Sequence, residues 1–362
     1  MSNAHPYPIL FEPILKHKVW GGRRLAKYGK HLPIEGLVGE SWELADLSST
    51  SASGGGGDAA HSVILNGSLE HKTIQDAIEC WGDLLMGDSS LSAQGGFPLL
   101  VKYLDANENL SVQVHPSIEY AQAHNDAFLK TESWFVLEAK PDKDGNPPVI
   151  YKGFQDGVTK DDLAQAIENG AVPDLMRKEV VVPGQCHTLP SGTVHALGAG
   201  VLVAEIQTPS DTTFRVYDWA KEYGREGREL HIDQAVVCAD FGHPPSSTHA
   251  NAFLSDGMSV MATMPPKIGS TRDRVAQTEF YSIDVLSASC AAMPLVEKEQ
   301  EGNAPLVIML IKSMGASIVS DTEVFKEVAL QEGQTALIPA AIAKDCILRA
   351  GPGTEAIVIQ VG

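Results

Sequence analysis

This sequence predicts a mainly β protein containing two copies of one β-domain, with helices inserted into the chain. Three observations carry that prediction. Short, β-branched, alternating segments recur along the chain, closely punctuated by proline and glycine, the pattern of a sandwich or barrel. Three segments have helical spacing instead. A stretch near residue 190 is echoed near residue 340, which points to an internal duplication.

The elements follow in chain order. TIQDAIECWGDLLMG (73–87) has the apolar spacing of a helix. PLLVKYL (98–104) and SVQV (111–114) read as strands. HPSIEYAQAHNDAFLK (115–130) reads as a helix with Pro116 in its first turn. ESWFVLEA (132–139) is a strand, and DDLAQAIENG (161–170) a helix with Asp161 as N-cap and Gly170 just past its end. EVVVPGQCHTL (179–189) and VLVAEIQ (201–207) continue the β pattern, as do PLVIMLI (305–311), GQTALIP (333–339) and EAIVIQV (355–361). In the echo, Gly184-Gln185 is answered by Gly333-Gln334 and Pro190 by Pro339, at a constant spacing of 149 residues. At that spacing His195 is answered by Lys344. The Pro- and Ser-rich HPPSSTHANAFLSDG (243–257) is the expected linker, dividing the chain into domains 1–245 and 246–362.

Composition limits the function classes. The formal net charge of −19 opposes nucleic-acid and anionic-membrane partners, so any anionic ligand must be met by a local basic cluster. The longest apolar runs are strand-length, too short for a bilayer. The N-terminus lacks a basic region followed by an apolar core, so no secretory signal is expected. The five cysteines are scattered without a CxxC pair, which fits reduced thiols in a cytoplasm. SASGGGGD (51–58) lacks the Lys-Ser/Thr ending of a phosphate loop and reads as a surface loop.

The chemistry concentrates in LSVQVHPS (110–117). Gln113 and His115 are two apart in a strand and so face one interior, where each is costly unless something binds it. Standing alone, such a pair is more often hydrogen-bonded core than metal site. A second pattern changes the balance: Gly184, Pro190, Gly192 and His195 have the spacing of the second motif of the cupin superfamily, a jelly-roll barrel that binds metal inside. LSVQVHPS is similar to the first cupin motif, with Gln113 in place of one histidine, and Glu132 follows after a longer gap than usual. Together with GESWELAD (39–46), VWGGRRL (19–25), FPLLVKYLDANENLSVQVHPS (97–117), SDTTFRVYDW (210–219) and RELHIDQA (228–235), these motifs resemble type I phosphomannose isomerases, in particular the compact bacterial ones. The resemblance runs from about residue 8 to residue 240 and is weaker through a degenerate C-terminal barrel.

That resemblance implies two cupin-type jelly-roll barrels, the second degenerate, and one metal per chain held by Gln113, His115, Glu132 and His195. Such a ligand set suits Zn²⁺, with Mn²⁺ and Fe²⁺ as the alternatives. His187, where the family carries an aromatic, is expected to pack as a ring rather than ligate. The implied reaction interconverts mannose 6-phosphate and fructose 6-phosphate by proton transfer between C2 and C1 through a cis-enediol. It requires an acid–base group, positive charge at the enediolate and a cationic seat for the phosphate. Lys102, Lys130, Asp211 and Arg215 form the candidate catalytic set, in which a lysine of lowered pKa, Asp211 or Glu132 can each serve as base. Ser111, Lys102, Lys130 and Arg215 are the candidate substrate-binding residues. The other reading is a cupin that binds or senses a sugar phosphate without turning it over. The expected partner is a small sugar phosphate, with the chain a monomer or homodimer.

Overall fold

The computed structural model describes residues 5–50, 57–124, 126–250, 270–288, 292–296 and 302–362. The glycine run expected as a surface loop therefore lies mostly outside the described residues, as does the second half of the expected linker. The fold is mainly β. A seven-stranded antiparallel sheet runs, in spatial order, through Thr248–His249, Gln185–Leu189, Glu132–Ala139, Val201–Gln207, Leu100–Asp105, Val38–Leu44 and Ile14–Gly22. A five-stranded sheet contains Met176–Val180, Val149–Phe154, His195–Leu197, Val112–Val114 and Phe214–Tyr217. Further along the chain, a six-stranded sheet includes Thr335–Ile338, Leu306–Lys312, Thr354–Val361, Tyr281–Ala288 and Thr271–Gln277, with the N-terminal Ile9–Leu10 on its edge. A four-stranded sheet lies alongside it.

Side-chain alternation sorts these sheets into layers. One face of the seven-stranded sheet (Tyr103, Phe135, Leu137, Ala204, Ile206) packs against one face of the six-stranded sheet (Val307, Met309, Ile357, Ile359) and the Ile74–Trp81 helix. The opposite face of the six-stranded sheet meets the four-stranded one through Ile308, Leu310, Val358, Ile318 and Leu348. The outer face of the five-stranded sheet (Val114, Ala196, Phe214, Val216) is covered by Leu163, Ala166, Ile167 and Ala235 of two helices. What remains is the space between the seven- and five-stranded sheets. An apolar cluster containing Leu104, Trp134, Val136, Ile150 and Leu197 fills part of it, and polar side chains occupy the rest.

The strands over 132–139 and 201–207 have the expected bounds. Several other elements differ, each for a local reason. The helix expected over 73–87 is two, Ile74–Trp81 and Asp83–Met86, because Gly82 takes φ +48° between them. The N-cap of the Lys160–Asn169 helix is Thr159, not Asp161: its hydroxyl accepts from the Asp162 amide while Asp162 accepts from the Thr159 amide. The helix expected over 115–130 spans only Ile118–Ala123, capped by Ser117. The strand expected over 179–189 is broken at Pro183-Gly184 into two that belong to different sheets. Gly184 there has φ +90°, and its echo Gly333 has φ +82°, so both copies use the same left-handed turn. Among the described residues no helix is long and apolar enough to cross a membrane. Cys80, Cys186, Cys238 and Cys346 are free thiols.

Candidate metal centre and cavity

Strand register brings the expected ligands together. His195 lies directly opposite Gln113, and Gln113 in turn opposite Arg215, so all three point from the five-stranded sheet to the same side. Glu132 opens its strand in the facing sheet, opposite Gln207. His195 Nε2 is 3.0 Å from Glu132 Oε1, His115 Nε2 is 3.5 Å from Oε2, and Gln113 Nε2 is 3.4 Å from His195 Nε2. One ligand atom from each of His115, Glu132 and His195 lies within 4.8 Å of the others, and all three residues are buried.

The chemistry of this donor set fits a divalent cation. His115 Nδ1 is 3.0 Å from the Thr212 carbonyl and His195 Nδ1 is 2.8 Å from that of Thr193. Each Nδ1–H donates outward, which fixes the tautomer and leaves an Nε2 lone pair for the centre. Burial pushes the His115 pKa down to about 3, helped by the nearby Lys130 cation, so its ring is neutral and able to ligate. Burial alone would raise the Glu132 pKa, but Lys130 at 2.7 Å and the two imidazoles hold it well below the usual carboxylate range. Neither Glu132 oxygen accepts a well-formed hydrogen bond although both are buried. An anionic donor left in this way is the feature a metal would satisfy.

Beside the centre lies a cavity lined by Gln113, Lys130, Ser111, Lys102, Asp211, Thr213 and Arg215, with Lys18, Trp20, Glu40, Trp42, Glu205 and Arg228 completing its wall. The fold thus brings Lys102, Lys130, Asp211, Arg215 and Ser111 around one space. Lys102 is buried. Its ammonium is 3.1 Å from Glu205 and 3.9 Å from Glu40. Lys130 is 3.2 Å from His115 Nε2; burial would lower its pKa, but Glu132 and Glu205 outweigh this and raise it. It is therefore an ammonium, which removes it from the three kinds of base the sequence left open. Arg215 donates from Nη1 to the Glu229 carbonyl at 2.8 Å. Asp218 lies 3.8 Å from its Nε.

Several residues of this interior carry no sequence motif that singles them out. Glu205 accepts from Trp134 Nε1 at 2.9 Å and stands opposite Lys102 in the register. A signal was present: each strand is an apolar run interrupted by one charge, and the two charges have opposite sign. Glu40 accepts from Trp42 Nε1 at 2.6 Å; burial would raise its pKa, but Lys18 and Lys102 bring it to about 2. Lys152 is fully buried, stands opposite His195 and donates to the Pro245 carbonyl at 2.5 Å. His187 is buried opposite Trp134 with no hydrogen-bond partner at either ring nitrogen. Nothing brings it to the ligand cluster, whose members are His115, Glu132 and His195. Its pKa is pushed down to about 3 by burial and then by Lys152.

Fold and site together define a β protein of cupin type with one buried three-residue cluster able to hold a metal, among the described residues, beside a cavity rich in cations. Residues 10–135 match the family model for the catalytic domain of type I phosphomannose isomerase. The chain is 38% identical over 235 residues to mannose-6-phosphate isomerase ManA of Bacillus subtilis strain 168, a match covering 63% of this chain and 67% of that protein. It is 37% identical over 250 residues to a mannose-6-phosphate isomerase of Streptococcus mutans, covering 67% and 71%. In three dimensions it superposes on the mannose 6-phosphate isomerase of Bacillus subtilis with a TM-score of 0.74 at 27% identity, over 97% of this chain and 99% of that one. A zinc-bound mannose 6-phosphate isomerase shares the fold at a TM-score of 0.68 and 16% identity, over 98% and 99%. The chain belongs to the type I phosphomannose isomerase family.

Proposed function

We propose that the protein is a metal-dependent aldose–ketose isomerase that interconverts mannose 6-phosphate and fructose 6-phosphate. The observation that carries this reading is the convergence of two imidazoles and a buried carboxylate, with Lys130 against it, beside a cavity lined by lysines and arginines. Gln113, His115, Glu132 and His195 hold the metal, one Zn²⁺ per chain by the preference of mixed nitrogen and oxygen donors, with Mn²⁺ and Fe²⁺ as alternatives. Zinc fits both the donor set and the zinc-bound relative of the same fold. Bound there, the cation polarises the oxygens at C1 and C2 of the sugar.

The remaining work falls to the chain's own groups. A base must carry a lone pair, and Lys130 does not: Glu132 at 2.7 Å and Glu205 raise its pKa and keep it protonated. Asp211, a carboxylate in the cavity wall, takes the proton from C2 of the aldose and returns it to C1 of the cis-enediol, while one proton passes from the C2 hydroxyl to the C1 oxygen, so the step is balanced. Arg215 and the two ammoniums stabilise the negative charge that develops on the sugar oxygens. Ser111, Lys102, Lys130 and Arg215 bind the substrate. Residues 1–245 carry this site, and 246–362 form a degenerate second barrel that binds no metal. A cytoplasmic location fits the free thiols.

Purified protein should contain a divalent metal by elemental analysis and convert mannose 6-phosphate in a coupled assay. Chelation should abolish the activity, and the metal should restore it. Protein that holds metal and binds the sugar phosphate without turnover would be the binding-only cupin instead.

A further inference from the structure

The strand Val201–Gln207 ends on a buried amide that belongs neither to the ligand set nor to the cationic wall. Gln207 is fully buried and stands opposite Glu132 in the register. It leaves the strand on the same face as Glu205, which lines the cavity, so its side chain starts on the side of the metal centre. Its Nε2 donates to two carbonyls of the segment that follows, Thr208 at 2.8 Å and Ser210 at 2.5 Å. Two acceptors fix which end of the amide is nitrogen, because the reverse orientation would set oxygen against both carbonyls. Oε1 is therefore turned away from this segment, buried and without a hydrogen-bond partner.

The segment so held carries two groups of the site. Asp211 is the proposed base, and the Thr212 carbonyl accepts from His115 Nδ1 at 3.0 Å. The same segment is laced to the chain that leads into Glu132. The Thr208 amide donates to the Thr131 carbonyl at 3.1 Å, and the Thr131 amide to Thr208 Oγ1 at 3.2 Å. Thr208 Oγ1 in turn donates to the Leu129 carbonyl at 2.9 Å, and Ser210 Oγ to that of Phe128 at 3.0 Å. Thr131, Thr208 and Ser210 are all buried, so water does not compete for these bonds. Lys130 and Glu132 are thereby fixed from one side, and Asp211 and His115 from the other. Gln207 ties the turn between them.

We propose that Gln207 is a positioning residue of the metal centre. Through the 208–212 segment it sets the direction of the His115 imidazole and the place of the Asp211 carboxylate. The assignment rests on the isomerase reading for turnover; for metal binding it stands on the donor set alone. The outward partner of a ligating histidine is typically worth about ten- to a hundredfold in metal affinity, and Gln207 holds that partner.

The test uses Gln207→Met, which keeps length and volume and removes both ends of the amide, and Gln207→Asn, which keeps an amide at shorter reach. In the full chain, Zn²⁺ affinity is measured by competition with a chromophoric chelator. Thermal stability is followed alongside, as are kcat and KM for mannose 6-phosphate at saturating Zn²⁺. Gln207→Met should weaken Zn²⁺ binding about tenfold or more and lower kcat by about as much, with KM little changed. Gln207→Asn should fall between it and wild type on both measures. A folded Gln207→Met with unchanged Zn²⁺ affinity or unchanged kcat overturns the assignment, even if its melting temperature drops, because the amide would then serve the fold alone. A rise in KM at constant kcat overturns it too, by placing Gln207 on the substrate. If Gln207→Met does not fold, the same criteria apply to Gln207→Asn. Failure of the isomerase reading is separately visible as a wild-type protein without turnover, and the Zn²⁺ affinities would still decide the role of Gln207.

Discussion

The two halves of the molecule repeat one arrangement of strands and fill it with opposite chemistry. In the first, the strands 185–189, 132–139, 201–207 and 100–105 are consecutive neighbours; in the second, 335–338, 306–312, 354–361 and 281–288 follow the same order. The register coincides as well. Glu132 stands opposite Leu189 and Gln207, and Leu306 stands opposite Ile338 and Gln360. Glu205 is opposite Trp134, and Val358 is opposite Ile308. So where the first half holds the Glu132 carboxylate, an indole and a second carboxylate, the second holds Leu306, Ile308 and Val358 in an apolar cluster. Charge persists at the counterpart of Lys102, which is Asp284, held by Arg272 and Arg274.

At the metal-bearing strand the divergence is structural. His195 begins a strand after Gly192, which has φ +88°. The second copy has Ala340-Ala341 after Pro339 and forms a helical turn, Ala340–Ala343, with Lys344 at its end and exposed. One frame can thus be stabilised by apolar burial on both faces, or it can give up part of that burial for function. The first half retains its stability through neighbours. Its outer sheet face shares a core with the six-stranded sheet, and Tyr281 from the second half donates to Ser133, next to Glu132, at 3.1 Å. Lys30 ties Glu43 at 2.6 Å to the Gly333 carbonyl at 2.8 Å across the same junction.

The strongest break in the comparison is His195→Ala, which makes the first half resemble the second at its metal-bearing position. Metal retention and activity should both be abolished, because losing a ligand leaves the remaining buried donors unpaired. Full metal occupancy by elemental analysis in this variant would refute the four-ligand assignment. The converse change, Leu306→Glu, places the first half's carboxylate in the apolar frame of the second. With Ile308 and Val358 around it and no imidazole to pair with, it should cost about 3 kcal/mol or more of unfolding free energy and add no second metal. Denaturant titration and metal stoichiometry check the two parts. Stability close to wild type would mean that the C-terminal interior is far wetter than its packing indicates.

Arg215→Lys sharpens the chemistry within the first half. It keeps the charge and loses the planar fork, so turnover should fall at least about tenfold, roughly 1.4 kcal/mol of transition-state stabilisation. If Arg215 acts on the developing enediolate, the loss appears in kcat with KM little changed. A rise in KM at constant kcat would assign the phosphate to Arg215 instead.

How far the site was legible follows from the same comparison. Ligand and turn residues are local, so Gln113-x-His115 and the Gly184…His195 spacing could be read directly, and the constant spacing of 149 residues exposed the duplication. Paired charges in apolar strands are non-local. Glu205 explains Lys102 only once strands 201–207 and 100–105 are known to be neighbours in register. Asp218 and Arg228 lie in the motifs SDTTFRVYDW and RELHIDQA, but their pairing across ten residues is likewise visible only in the fold. The Thr159 cap was missed because two acidic residues follow it, and side-chain identity alone does not say which of three adjacent polar groups leaves the helix. The short Ile118–Ala123 helix ends where the His124 ring stacks on Tyr120 at 3.9 Å, a contact no periodicity reveals.

The smallest expected effect belongs to His187, the imidazole of the first half that the metal does not use. It faces the interior beside Trp134 and Lys152 with neither nitrogen hydrogen-bonded and Glu179 3.7 Å from Nδ1, so it contributes little more than ring volume. His187→Phe should therefore retain metal and turnover. Its effect should lie in the pH dependence of stability. The folded-state pKa of about 3 is below the ordinary value of 6.5, so the unfolded chain binds the proton first as pH falls. Above the ordinary value both states are neutral and the ring costs no protonation energy. Between the ordinary and the folded values the unfolded wild-type chain gains a proton that the native state refuses, so native stability is lost. Phenylalanine removes that term. The melting temperatures of variant and wild type should be similar at neutral pH and diverge in favour of the variant as the pH is lowered. A constant difference across that range would mean that the native protein protonates His187 in place, and that the buried Lys152 beside it has given up its own charge.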